Sequence, residues 1–242
     1  MLSRWLDNGT LSPDSVTVID PARPDFPGVR SLAAVPDEAP PVQLMLGVKP
    51  QLLDDVATAV AQALGPHTQV LSILAGTRHA TLARRFEQAA SVVRVMPNLP
   101  VAIGQGAIAL HAPNADRTPL DALFAPLGLV EWIDDEGLFD AVTALSGSGP
   151  AFLYRFAEAL AKGGVAMGLE EAQADRLARA SVAGAAALAK ASPEPLAALA
   201  DRVASKGGST REGLDALDEG EALDRVVAAA LRAAESRNRE LR

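Results

Sequence analysis

The chain has 242 residues, no cysteine and a net charge of -8. Disulfides, thiolate catalysis and Cys-ligated metals are therefore excluded, and the acidic balance argues against a nucleic-acid surface or an anionic membrane as partner. Apolar residues make up 49% and aromatics only 4%, so any core is built largely from Ala, Leu and Val, with length enough for one large domain or two smaller ones.

Residues 1–8 read as the end of a helix, because Leu2, Trp5 and Leu6 share a face and Gly9 supplies a stop. A short strand over 16–19 ends at Asp20-Pro21. Residues 21–41 are proline-rich and aperiodic, with room for one short strand. The continuous apolar run 42–48 is strand-like and closes at Lys49-Pro50. A helix over 52–64, a strand over 69–74, a helix over 77–88 and a strand over 92–95 follow. Strand-like runs at 107–110 and 130–132 flank a helix near 119–126. Solid apolar strands alternating with helices predict a parallel sheet covered on both faces. In such sheets ligands bind beyond the carboxyl ends of the strands. Asp20, Val48-Lys49-Pro50, Ala75-Gly76 and Met96-Pro97-Asn98 stand just past those ends and are candidates to line one crevice.

After Glu136 the strand signals stop. Helices are expected over 138–162, over 172–191 with a small-residue stripe of Ala180, Gly184 and Ala187, and over 223–241. The boundary is placed in the acidic stretch 134–137, giving a sheet domain of residues 1–136 and an all-α domain of residues 137–242. His67, His79 and His111 lie far apart in sequence without metal-ligand spacing and read as solvated side chains, so no metal site is expected. There is no signal-peptide layout and no apolar run of about 18 residues, so a cytoplasmic protein is the expectation.

One further run carries chemistry. Gly207 and Gly208 separate a helix ending near Ser205 from one starting near Ser209 or Thr210. A glycine loop opening onto a helix N-terminus presents free N–H groups and favours a carboxylate or phosphate. The same residues also read as a capped helix–loop–helix corner.

This run, with Ala204, Ser205, Lys206, Gly207, Gly208, Ser209, Thr210 and Gly213, resembles the signature of the pyrroline-5-carboxylate reductases. The resemblance extends over nearly the whole chain. Val48-Lys49-Pro50-Gln51, Ser72-Ile73-Leu74-Ala75-Gly76 and Arg94-Val95-Met96-Pro97-Asn98-Leu99-Pro100 are similar to the family's cofactor-facing segments. Residues 140–152, from Asp140 to Phe152, are similar to its domain-linking helix. The resemblance implies a Rossmann-like α/β domain, a helical dimerisation domain, and reduction of 1-pyrroline-5-carboxylate to L-proline by NADPH or NADH. By the same resemblance Gly207, Gly208 and Ser209 hold the substrate carboxylate with Ser205 nearby, and the Thr210 hydroxyl orients the imine as the catalytic group. Glu136 aligns with an acidic residue near the ring nitrogen. Val48, Lys49, Pro50, Ala75, Gly76, Met96, Pro97 and Asn98 face the cofactor, and a homodimer or higher homo-oligomer is implied.

Each position also has a plainer reading: Lys49 as a surface charge, Asp20 as a turn residue, Glu136 as a charge at a helix start. Asp20 sits where a Rossmann acidic residue accepts from the adenosine ribose hydroxyls, which tilts the choice toward NAD, with Arg23 nearby to offset it. Relatives open with a strand and a G-x-G-x-x-G loop roughly 20 residues upstream of this acidic position. The sequence lacks both, so weak dinucleotide binding is expected. A non-catalytic dimeric relative and a reductase of another cyclic imine remain as alternatives.

Overall fold

The continuous apolar runs seen in sequence become strands buried on both sides. In strand β4 (Gln69–Ser72) and strand β5 (Ser91–Pro97), neighbouring residues point to opposite faces of one sheet. Val70 and Val92 enter a core with Leu46, Leu53, Ala57, Val60, Leu64, Leu82 and Phe86. Leu71, Val93 and Val95 enter a second core with Trp5, Ile108, Leu110, Leu120 and Phe124. A strand with no solvated face needs no polar alternation, which is why these segments read as solid apolar blocks.

The structure, a computed structural model, describes residues 1–22 and 25–240; Arg23 and Leu241 lie outside the described residues. Chain order begins with helix α1 (Leu2–Asp7), strand β1 (Thr17–Ile19), strand β2 (Arg30–Leu32) and strand β3 (Gln43–Leu46). Helix α2 (Leu53–Val60), β4, helix α3 (His79–Arg85) and β5 come next. Strand β6 (Gly106–His111), helix α4 (Arg117–Phe124) and strand β7 (Gly128–Trp132) complete the sheet region. The helical run continues as α5 (Phe139–Val142), a π-helical turn (Thr143–Gly147), α6 (Gly149–Ala166), α7 (Glu171–Ala191), α8 (Leu196–Val203), α9 (Ser209–Asp218) and α10 (Ala222–Glu240).

Among the described residues there are two sheets. β1 and β2 pair in parallel, and a five-stranded sheet has the order β3-β4-β5-β6-β7. β1 and β3 do not pair with each other, so β3 is an edge. β3, β4 and β5 are parallel, as expected, but β6 runs antiparallel to β5, and β7 is parallel to β6. The sheet is thus mostly parallel, as expected, with β6 and β7 reversed relative to β3–β5. The cause is the connection: a single 3-10 turn, Leu99–Ile103, joins β5 to β6, and a parallel return needs a crossover of a dozen residues or more.

The chain divides into two compact units, one of Met1–Ser148 together with the segment from Ala234 onward, the other Gly149–Ala233. The division falls inside the helical run rather than at the acidic stretch 134–137. In the first unit Trp5 ties α1 to α4, its Nε1 donating to the Leu123 carbonyl at 2.7 Å and its ring meeting Phe124 edge-on at 5.7 Å. In the second, α6 and α7 pack through Gly164, Ala174 and Ala178. The stripe Ala180, Gly184 and Ala187 stays exposed on the other side of α7. Among the described residues no helix is long and apolar enough to cross a membrane.

Gly128 opens β7 at φ +143, and a Cβ placed there would stand 2.0 Å from the Gly106 carbonyl oxygen of the neighbouring strand. Neither backbone can retreat without breaking the β6–β7 ladder. Gly128→Ala should therefore cost about 2–4 kcal/mol in a urea unfolding experiment, from combined strain and overpacking. A loss under about 0.5 kcal/mol, the range of ordinary surface changes, would contradict this packing.

Candidate active site

Because β3, β4 and β5 are parallel, their carboxyl ends lie along one edge of the sheet. Val48, Lys49 and Pro50 follow β3, Ala75 and Gly76 follow β4, Met96 and Pro97 end β5, and Asn98 follows it. These predicted residues are brought together. Lys49 is exposed, and its carbonyl accepts from the Leu52 N–H at 2.9 Å in the 3-10 turn Pro50–Leu52. Ala75 packs beside Met96, Ala109 and Phe139. Asn98 is bonded to main chain at both ends of its carboxamide: its Oδ1 accepts from the Ala107 N–H at 2.9 Å and its Nδ2 donates to the Ser146 carbonyl at 3.0 Å. Asp20 follows β1, a strand of the other sheet, and its Oδ1 accepts from the Ala22 N–H at 2.9 Å.

A buried ion pair in the sheet unit centres on Arg94, a residue to which the sequence assigns no individual role. It is 4% exposed in the middle of β5. A buried guanidinium requires a counter-charge. Its Nη1 donates to Glu136 Oε1 at 2.7 Å, and the guanidinium carbon stands 4.0 Å above the centre of the Phe139 ring. Glu136 Oε1 also accepts from the His79 N–H, at 2.5 Å, in the first turn of α3. The carboxylate predicted to face a ring nitrogen is thus anchored on one oxygen by a strand cation and a helix-start amide.

The histidines correct the reading of solvated side chains. His67 is exposed, but His79 and His111, 32 positions apart, meet edge-to-face with ring centres 5.6 Å apart. His111 pairs across the ladder with Arg94, and α3 packs on β5, so the fold closes a distance that sequence spacing hides. His79 Nε2 lies 3.1 Å from the Val92 carbonyl and His111 Nδ1 lies 2.7 Å from the Ile133 carbonyl. A carbonyl only accepts, so each of these nitrogens carries a proton.

The glycine loop belongs to the helical unit. Gly208 caps α9, and no side chain caps the helix start. Helix α9 begins at Ser209, with Thr210 in its first turn; Ser205, Ser209 and Thr210 are exposed. Gly207 turns at φ +71 with nothing within 4 Å of a Cβ position. Ser205 Oγ stands 2.5 Å from where a Gly208 Cβ would be, so glycine at 208 is what lets this hydroxyl sit over the loop. Arg211 Nη2 donates to Asp201 Oδ1 at 2.6 Å and links α9 back to α8. The result is an exposed cluster of first-turn amides and hydroxyls suited to a small anion.

Residues 136–241 match the family described as pyrroline-5-carboxylate reductase dimerisation. The chain is 36% identical over 252 residues to the pyrroline-5-carboxylate reductase of Synechocystis sp., covering 100% of this chain and 93% of that protein. It is 38% identical over 202 residues to pyrroline-5-carboxylate reductase 3 of Danio rerio, covering 82% of this chain and 69% of that one. A solved pyrroline-5-carboxylate reductase structure from Coxiella burnetii superposes with a TM-score of 0.87 at 26% identity, covering 99% of this chain and 93% of that chain. Fold and relatives together define the class, a homo-oligomeric nicotinamide-dependent oxidoreductase acting on a C=N bond. The chain belongs to the pyrroline-5-carboxylate reductase family.

Acid should weaken the sheet unit in two steps. Burial lowers the pKa of His79, so the stability tied to its neutral form is present above the unfolded value of about 6.5 and is lost as pH falls toward the folded value. For Glu136 burial raises the pKa, but the His79 amide and the Arg94 guanidinium outweigh it, and the net shift is downward. Its contribution is present above about 4.3 and is lost as pH falls through the folded pKa. Glu136→Gln should remove the second step and cost about 2–4 kcal/mol at pH 7, because the buried Arg94 guanidinium loses the Glu136 charge. Thermal melts across pH 3–8 decide this, and an unchanged acid limb in the variant would refute it.

Proposed function

We propose that this chain is a cytoplasmic reductase that converts 1-pyrroline-5-carboxylate to L-proline with NADPH or NADH, the last step of proline biosynthesis. The observation that carries the reading is the uncapped, exposed first turn of α9 directly behind Gly207-Gly208, in a run that matches the family signature. The substrate is a five-membered imine bearing a carboxylate. The first-turn amides of α9 suit the carboxylate, and the positive end of the helix dipole favours its charge. The Ser205 hydroxyl adds a neutral donor beside it. The Thr210 hydroxyl is assigned to the ring nitrogen, where it fixes the orientation of the C=N bond.

A reduced nicotinamide, when bound, supplies the hydride to the imine carbon. Val48, Lys49, Pro50, Ala75, Gly76, Met96 and Pro97 are assigned to the dinucleotide, and Asp20 to the adenosine ribose. The strand-end edge fits such a group: a Cβ at Gly47, just past β3, would meet nothing within 4 Å, so the main chain there is open to close approach. Glu136 supports the site by holding Arg94 and the start of α3. Residues 1–136 and 137–242 are proposed as the cofactor-binding and the substrate and dimerisation regions.

The helical unit supports a homodimer. Phe152, Phe156 and Leu160 line one face of α6 and remain exposed, as do Leu188 on α7, Leu196 and Val203 on α8, and Val226 and Val227 on α10. A helical unit with so little apolar burial of its own gains stability by covering these faces with a second copy. Phe156→Glu should shift the protein to monomers, weakening association by about a hundredfold or more in sedimentation equilibrium, as expected for a central apolar anchor. Unchanged association would remove α6 from the interface.

Thr210→Ala should leave the oligomer and the melting temperature unchanged and lower kcat by about ten- to a hundredfold, the effect of one lost orienting hydrogen bond. The assay is substrate-dependent oxidation of NADPH and NADH. Wild-type kcat in this variant would take Thr210 out of the reaction.

A further inference from the structure

We propose that Asn98 is a positioning residue whose carboxamide replaces the helical hydrogen bond that Pro150 removes, and so fixes the turn at which the sheet-bearing unit ends to the end of β5. Backbone with helical φ and ψ runs from α5 through the π-helical turn into α6. In the α-helical parts of such a run each N–H donates to the carbonyl four residues back, and in the π-helical turn five residues back. Pro150 has no N–H, and its ring crowds the carbonyl of residue 146. The Ser146 carbonyl is thereby left without its helical donor, in a half-buried place where an unpaired carbonyl is costly. Asn98 Nδ2 meets it at 3.0 Å.

The other end of the same carboxamide accepts from Ala107 N–H at 2.9 Å, in β6. One side chain therefore joins the end of β5, the beginning of β6 and the helical turn. Side chains also reach neighbouring carbonyls, two of which, those of Phe139 and Asp140, already accept the Thr143 N–H. Thr143 Oγ1 donates to the Phe139 carbonyl at 2.7 Å, Ser146 Oγ to the Val142 carbonyl at 2.9 Å, and Asn238 Nδ2 to the Asp140 carbonyl at 3.3 Å. The Ser148 N–H reaches back five residues to the Thr143 carbonyl at 3.3 Å. Side chains thus add to the backbone bonds around a π-helical turn followed by proline, and at the Ser146 carbonyl Asn98 stands where the helical donor is missing. Gly149 has no atom within 4 Å of a Cβ position, so contacts around it do not fix the turn. The proposal takes Asn98 from a group that reads the cofactor to one that holds the strand end beside it. Only its kinetic arm rests on the reductase reading.

The test compares the full-length wild type, Asn98→Asp, Pro150→Ala and the double variant. Asn98→Asp keeps an acceptor for Ala107 and loses the donor to Ser146. Pro150→Ala restores an N–H that can serve the Ser146 carbonyl. Amide hydrogen exchange over residues 143–152 should quicken about ten- to a hundredfold in Asn98→Asp, the effect of one lost hydrogen bond. In the Pro150→Ala background the same substitution should change exchange by less than about threefold. With NADPH and the pyrroline carboxylate, Asn98→Asp should lower kcat about tenfold with the KM for NADPH nearly unchanged, and Pro150→Ala should suppress that loss. If Asn98→Asp is insoluble, the double variant should recover soluble protein, and failure to recover counts against the proposal. Equal effects of Asn98→Asp in both backgrounds would overturn it, as would a raised KM for NADPH with unchanged exchange, which would make Asn98 a direct cofactor contact. Absence of any wild-type turnover would instead sink the reductase reading and leave the exchange comparison to decide the proposal.

Discussion

A guanidinium buried in the middle of a sheet constrains everything packed against it. Arg94 stands in β5 between apolar neighbours and cannot lose its charge, so the fold must bring an anion and a polarisable face to it. Glu136 supplies the first and Phe139 the second, and both come from the segment that opens the helical run. The same carboxylate oxygen takes the first amide of α3, whose His79 packs on His111, the ladder partner of Arg94. One charge thus joins β5, β6, α3 and α5 into a single arrangement.

Beyond that arrangement the structure meets backbone demand with side chains at the points where the chain changes character. Asn98 serves the end of β5 and the proline-broken helix, and Trp5 serves the end of α4. The helical unit is built differently. Its few buried positions are small, and its large apolar side chains remain on the surface, consistent with the family's dimerisation region over residues 136–241.

Much of this was legible in the sequence. The apolar blocks gave the strands of the sheet, since burial on both faces leaves a continuous pattern, and the run around Gly207-Gly208 gave a loop opening onto a helix. Strand direction was not legible from the block at β6, because an apolar run carries no direction. The short link from Asn98 to Gln105 was the signal that could have shown it. The histidine pair and the Arg94–Glu136 contact join residues 32 and 42 positions apart, and neither spacing nor periodicity reports such pairs. The helix expected over 138–162 is interrupted before Pro150, and how that gap is bridged depends on Asn98, a partner that only the fold supplies.

The central claim is that a hydride is placed on the C=N carbon of a five-membered imine carboxylate. It is tested most directly by running the reaction with NADH carrying deuterium at the transferred C4 position and locating the label in the product by NMR. The account predicts proline with one deuterium on Cδ, the carbon that was double-bonded to nitrogen in 1-pyrroline-5-carboxylate. Label on Cα, or no turnover of this imine by the oligomeric protein, would contradict it.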